Sequence, residues 1–280
     1  MKIRLARSAG FCFGVKRAID TALKTAKGQA AVEMLGDIVH NEDVVRMINK
    51  AGVKTIKALT KGRNKTLLIR AHGAPLKTLR KAARAGYRIV DATCPMVKEI
   101  HKIAKESEEK GYTVVVIGDR KHDEVRGIIG QLKGKALLID DIRRIPREKL
   151  KGIRKAAVVV QSTQNMDKVL AIVESLKARI KEVKFFNTIC RPTRIKQREI
   201  KSLPLTNDLM IIIGSKTSAN TRRLYEISKA LNKRSHWVRT KKDIRPEWFK
   251  GVKSVGVTAG ASTPDETTRQ VIDCIRKLPK

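Results

Sequence analysis

Ile89-Val90-Asp91-Ala92-Thr93-Cys94-Pro95 carries a short apolar run into a cysteine and then a proline. Proline fits the first position of a helix, where its missing N–H needs no partner. The stretch therefore reads as a strand end, a tight turn and a helix start with Cys94 at the N-terminus. Partial positive charge at that end favours thiolate over thiol, the form that binds metal or attacks an electrophile. A lone cysteine here is equally compatible with packing, so its meaning depends on whether the pattern recurs.

It recurs twice. Cys12 follows the apolar run 2–5 and Gly10, and Cys190 follows the run 183–186, each ahead of a helix-period segment. Gly36, Gly118 and Gly214 stand 24 positions after Cys12, Cys94 and Cys190 respectively, each closing a strand-like run. Polar clusters follow: Asp37-Ile38-Val39-His40-Asn41, Asp119-Arg120-Lys121-His122-Asp123-Glu124, and Ser215-Lys216-Thr217-Ser218-Ala219-Asn220. A further strand in each copy ends in a second cluster, at Ala71-His72-Gly73, Gln161-Ser162-Thr163 and Ala261-Ser262-Thr263.

Strands are expected at 66–69, 113–117, 156–160, 209–213 and 254–257, and helices at 15–25, 97–107, 167–176 and 221–231. This alternation predicts an α/β protein of three similar lobes with largely parallel sheets. The lobes fall at 1–95, 96–191 and 192–280, with the N-terminal strand free to join a neighbouring lobe. In parallel sheets the carboxyl ends of strands form the ligand edge. Packing about a pseudo-threefold axis would then bring three thiolates and a polar ring to one central cavity.

Composition bounds the function. The 280 residues are 41% hydrophobic, with ten aromatics and four cysteines, too few for a disulfide scaffold. No signal peptide or membrane-length apolar run is present, so a cytoplasmic, reducing setting is expected. The net charge of +35 raises nucleic acid as a partner, but it is spread along the chain. Lys and Arg outnumber Asp and Glu by 20 to 6, 22 to 13 and 20 to 8 in the three lobes. Blocks of like charge are absent, which fits a solvated surface that steers anionic substrates or acidic proteins.

Three converging cysteines admit a zinc site closed by a fourth ligand, or an iron–sulfur cluster with one iron lacking a cysteine. The spacings match neither zinc-finger nor ferredoxin runs. A cluster with an open iron suits reductive chemistry. Neutral donors at turns before helices suit a phosphorylated ligand, and no P-loop or dinucleotide fingerprint is present. Glu124, beside His122, is a natural proton donor if burial raises its pKa.

Together with these positions, Ala9-Gly10-Phe11-Cys12-Phe13-Gly14-Val15, Val39-His40-Asn41, Arg70-Ala71-His72-Gly73, Asp91-Ala92-Thr93-Cys94-Pro95, His122-Asp123-Glu124-Val125, Gln161-Ser162-Thr163, Asn187-Thr188-Ile189-Cys190 and Val257-Thr258-Ala259-Gly260-Ala261-Ser262 carry an end-to-end resemblance. The chain resembles the 4-hydroxy-3-methylbut-2-enyl diphosphate reductase family, iron–sulfur enzymes of the non-mevalonate isoprenoid pathway. The resemblance implies a 4Fe-4S cluster held by Cys12, Cys94 and Cys190, with one open iron for the substrate hydroxyl. It implies reductive removal of that hydroxyl to give isopentenyl and dimethylallyl diphosphates. By the same match His40, His72, His122, Ser218, Asn220 and Ser262 would hold the diphosphate, Glu124 would deliver the proton, and Thr163 would position the hydroxyl network. An acidic electron donor such as ferredoxin or flavodoxin and a monomeric state are expected.

Three departures stand out. Ala219 replaces a usual serine, Arg191-Pro192 follows Cys190 where an aromatic and a small residue are usual, and Asp119-Arg120-Lys121 is unusually charged. A cation beside a cluster ligand is expected to raise its potential. Cys274 reads as a core residue, His101 as a surface or boundary histidine and His236 as part of a strand outside the site. Trp237 and Trp248 are too isolated for base stacking. The competing readings are a basic RNA- or ribosome-associated protein with a structural metal site, and a zinc-stabilised scaffold.

Overall fold

Every strand pairing among the described residues is parallel. A computed structural model describes residues 1–28 and 31–278. Strand β1 (Lys2–Leu5) leads into helix α1 (Phe13–Lys27). Then come β2 (Val32–Leu35), α2 (Glu42–Lys50), β3 (Val53–Ile56), β4 (Thr66–Ile69), α3 (Leu76–Arg84) and β5 (Arg88–Asp91). The middle of the chain forms α4 (Pro95–Glu109), β6 (Thr113–Ile117), α5 (Asp123–Ile129), β7 (Leu137–Ile139), α6 (Arg147–Leu150), β8 (Lys155–Val160), α7 (Met166–Lys177) and β9 (Glu182–Phe185). The remainder is α8 (Arg191–Ser202), β10 (Leu209–Ile213), α9 (Ala219–Leu231), β11 (Ser235–Val238), β12 (Ser254–Ala259) and α10 (Asp265–Arg276).

Three four-stranded sheets result, ordered β3-β2-β4-β5, β7-β6-β8-β9 and β11-β10-β12-β1. The order is the same in each once β1 takes the place held by β5 and β9. Strand β1 pairs with β12 in the register Lys2↔Ser254, not with its sequence neighbour β2. The chain divides into two units. Met1–Lys16, Val39–Val45 and Arg191–Lys280 form one, which contains the third sheet; Arg17–Ile38 and Arg46–Cys190 form the other, which contains the first two.

The central strands are apolar throughout because both faces are covered. On β6, Val115 and Ile117 face α7 through Val169, Ile172, Val173 and Leu176, whereas Val114 and Val116 face Ile100, Ala104, Val125 and Ile128. In the third sheet Leu209, Ile211 and Ile213 pack with Val271, Ile272 and Ile275, while Met210 and Ile212 pack with Ile200 and Leu224. Truncating any one of the Ile, Leu or Met side chains among these to Ala costs about 2–5 kcal/mol.

All five expected strands and all four expected helices form. Beyond these, β3 and β7 are not among the expected strands, and β11 is expected only through His236. These strands are three or four residues long and lie at sheet edges, so they carry little apolar signal. Among the described residues no helix is long and apolar enough to cross a membrane.

Candidate active site

The threefold repeat is visible in the hydrogen bonds. Gly36, Gly118 and Gly214 each donate their N–H to the last residue of the edge strand, Ile56, Ile139 and Val238, at 3.1, 3.0 and 2.9 Å. Side chains cannot replace two of these glycines. A Cβ on Gly118 would lie 2.5 Å from Val125 Cγ2, and one on Gly214 would lie 2.5 Å from Thr221 Oγ1. The equal 24-residue intervals thus mark equivalent strand exits, and at Gly118 and Gly214 the next helix crosses closely.

The cysteines obey the same rule. Cys12, Cys94 and Cys190 donate their N–H groups to the carbonyls of Ala261, Ala71 and Ser162, at 3.1, 3.0 and 3.1 Å. Each acceptor lies two residues beyond the end of its strand, β12, β4 or β8. Cys94 is the N-cap of α4, while Cys12 and Cys190 immediately precede α1 and α8. All three are half-buried and outside any disulfide. Three thiol donors at helix starts, none spent in a disulfide, fit the ligand chemistry of an iron–sulfur group.

Glu124 lies in the first turn of α5 and is 2% exposed. Ser162 donates its N–H to one carboxylate oxygen at 2.6 Å and its hydroxyl to the other at 2.9 Å. Burial pushes the carboxyl up to about 7, against the pull of both Ser162 bonds, and the Asp119 charge adds to the rise. A carboxyl that exchanges a proton near neutrality can act as acid or base at working pH.

His122 caps α5 by accepting the Glu124 N–H on Nδ1 at 3.2 Å. In the neutral ring this assigns the proton to Nε2. The rings of His72 and His122 meet edge to face, with centroids 5.4 Å apart. Gln161, fully buried, donates from Nε2 to the Thr163 hydroxyl at 2.9 Å and accepts the Asp119 N–H on Oε1 at 2.8 Å. The hydroxyl that the sequence singled out is thereby oriented within the same cluster of turns as Glu124.

In the other unit Ser218 caps α9 by accepting the Thr221 N–H. Asn220 is 5% exposed, and its Nδ2 has no hydrogen-bond partner among the described residues. A buried amide donor left open in this way costs stability unless a ligand takes it. Ser262 directs its hydroxyl to the His40 carbonyl at 3.1 Å, so the serine is bound to backbone. Ala219 is buried at the first position of α9.

Two of the departures carry less weight than their sequence suggests. Arg191 is exposed, where solvent screens its charge, and Arg120 extends to Asp140 at 3.6 Å. His101 is the boundary histidine of the two expected alternatives, only partly exposed. It packs under the His72-Gly73 turn, and a Cβ on Gly73 would lie 2.7 Å from its Cε1. Burial pulls its pKa down to about 4, opposed by Asp91 and assisted by Lys98. His236 lies on β11 and stacks on Trp248 with centroids 3.8 Å apart, so that tryptophan is already occupied. Cys274 is half-buried on α10 beside the core residues Val271 and Ile275.

Sequence reasoning quoted Ser162 only as a neighbour of Thr163. A serine in a turn carries no mark that distinguishes an active-site donor from a cap.

Comparison with known proteins places these features in context. Residues 3–276 match the family described as LytB protein. The 4-hydroxy-3-methylbut-2-enyl diphosphate reductase of Geobacter metallireducens is 41% identical over 281 residues, covering 99% of this chain and 98% of the relative. That of Aquifex aeolicus is 41% identical over 280 residues, with 99% and 96% covered. Among solved structures, one of (E)-4-hydroxy-3-methyl-but-2-enyl diphosphate reductase, the terminal enzyme of the non-mevalonate pathway, is 40% identical with a TM-score of 0.73, covering 99% of this chain and 100% of that one. The Plasmodium falciparum E-1-hydroxy-2-methyl-but-2-enyl-4-diphosphate reductase is 26% identical with a TM-score of 0.91, covering 99% and 89%. These relatives give the RNA-associated reading no support. The chain belongs to the LytB family.

Proposed function

We infer that this protein is a 4-hydroxy-3-methylbut-2-enyl diphosphate reductase. The observation that carries the reading is Glu124, a buried carboxyl poised near neutrality at the mouth of a turn shared with Cys190 through Ser162. In the overall reaction the allylic C–O bond breaks, two electrons and two protons enter, and the hydroxyl leaves as water. The carbon skeleton gains the second proton to give isopentenyl or dimethylallyl diphosphate.

Cys12, Cys94 and Cys190 are the proposed ligands of a 4Fe-4S cluster. When bound, such a cluster supplies the electrons singly and an open iron for the substrate oxygen. Glu124 holds the proton that the departing oxygen takes, and Ser162 keeps the carboxyl fixed as its charge changes. Thr163, oriented by Gln161, hydrogen-bonds the substrate hydroxyl. His40, His72, His122, Ser218, Asn220 and Ser262 cradle the diphosphate, with the Asn220 Nδ2 donor supporting this role and Ser262 turning its hydroxyl from the His40 carbonyl to the ligand. His122 contributes through Nε2–H, since Nδ1 is engaged by the backbone.

The excess of 62 basic over 27 acidic residues suits an acidic electron-donor protein such as ferredoxin or flavodoxin. Cysteines outside any disulfide suit a reducing compartment such as the cytoplasm.

Anaerobic preparation should give brown protein with about four irons per chain. Its visible spectrum should change on addition of the diphosphate substrate. Colourless protein holding only zinc would overturn the reading.

A further inference from the structure

Lys196 is 2% exposed on α8, six residues after Cys190. Its ammonium donates to three main-chain carbonyls: Ser8, Gly10 at 3.1 Å and Ala259 at 3.1 Å. Carbonyl acceptors around the ammonium are how a buried cation is tolerated. The acceptors are not scattered. Ser8 and Gly10 form the turn that delivers Cys12, and Ala259 ends the strand whose turn presents Ala261, the acceptor of the Cys12 N–H.

Glu199, one helical turn further on α8, reinforces the same turn by accepting the Ser8 N–H at 3.1 Å and its hydroxyl. Gly10 has φ +88°, and a Cβ there would lie 2.4 Å from Asp265 Oδ1. The turn thus combines a left-handed backbone with carbonyls aimed at one cation. The repeat shows a second case. Arg17, on the helix that follows Cys12, donates from Nη1 to the carbonyl of Thr93 at 3.0 Å, immediately before Cys94.

We propose that Lys196 is a positioning residue for the metal centre, its buried ammonium clamping the Ser8–Gly10 turn so that Cys12 is presented in a fixed place, with Arg17 doing the same for Cys94. The assignment rests on the proposed cluster for its consequence, but the clamp itself is built of protein atoms alone. Carbonyl dipoles drawn toward the cation also keep fixed positive charge beside the Cys12 segment, where a thiolate and an anionic cluster gain from it.

The test compares wild type with Lys196→Met and Lys196→Gln in the full chain. In metal-free protein, hydrogen–deuterium exchange of the segment through residues 6–12 should quicken at least about tenfold in Lys196→Met, since a single charge-assisted bond is worth that much and three are lost. Lys196→Gln, which keeps N–H donors, should change less. In iron-loaded protein, chelator-driven bleaching should quicken by a similar factor in Lys196→Met. The midpoint potential should become more negative in both variants, because both lose the charge. Equal exchange in residues 6–12, or equal bleaching and equal potential in variant and wild type, would overturn the proposal. Wild type that takes up no iron would sink the reductase reading while leaving the exchange result to judge the clamp. Should Lys196→Met not fold, Lys196→Gln and Glu199→Gln decide the matter by the same readouts: Glu199→Gln should speed exchange in residues 6–12, and no change in either variant overturns the clamp.

Discussion

Ser162 holds both oxygens of the Glu124 carboxylate, one with its backbone N–H and one with its hydroxyl, while its own carbonyl accepts the Cys190 N–H. One residue therefore ties the titrating group to a proposed ligand segment. Ser162→Ala keeps the backbone bond and deletes the hydroxyl. The charged form of Glu124 loses support, so its pKa should rise by about one unit. The alkaline limb of the kcat profile should move to higher pH by the same amount. A limb that stays in place would mean that another group titrates.

Glu124→Gln preserves shape and removes the proton. Turnover should fall about 10²–10⁴-fold, the usual range for losing a general acid. Colour, iron content and substrate binding should persist, as a spectral titration with the diphosphate would show.

The same substitution has a pH-dependent effect on stability. The carboxyl titrates at its ordinary 4.5 in the unfolded chain and at about 7 in the fold. Between those values the folded state binds more protons, so wild-type stability falls as pH rises through that window and is fully diminished above it. Glu124→Gln should consequently melt higher than wild type at pH 8, by up to about 3 kcal/mol, and the gap should close toward pH 4.5. Melting of the metal-free proteins across pH 4.5–8 measures it.

Replacing Cys12, Cys94 or Cys190 by Ser should in each case abolish cluster retention, whereas Cys274→Ser should leave iron content and turnover unchanged. Iron analysis and the visible spectrum after anaerobic preparation distinguish the four variants.

Asn220 offers an inverted pattern. Its Nδ2 is buried with no hydrogen-bond partner among the described residues, so Asn220→Ala removes an unsatisfied donor. KM should rise about tenfold, the worth of one hydrogen bond to a charged group, while the melting temperature should hold or rise. A large loss of stability with KM unchanged would assign Asn220 to the fold.

The architecture was legible because parallel strands buried on both faces leave unbroken apolar runs, as at Val114-Val115-Val116 and Ile211-Ile212-Ile213, and because close helix crossings demand glycine at Gly118 and Gly214. Edge strands β3 and β7 were hidden because half their residues face solvent or they are too short to show a period. Cysteines and histidines announce their chemistry by residue type. Ser162 and Lys196 do not: a serine among many turn serines and a lysine among 62 basic residues acquire significance only from the carbonyl or carboxylate opposite.

The pairing of β1 with β12 has a consequence for how the chain is made. Lys2 emerges from the ribosome about 250 residues before its partner Ser254. At roughly 5–20 residues per second the first strand waits about 13–50 s with its hydrogen-bonding edge unsatisfied. The first two sheets draw all their strands from residues 32–185 and can close meanwhile. Cys12 and its turn are thus ordered last, after Cys94 and Cys190, and loading of the proposed metal centre, which would draw on all three, becomes a late event in the life of the nascent protein.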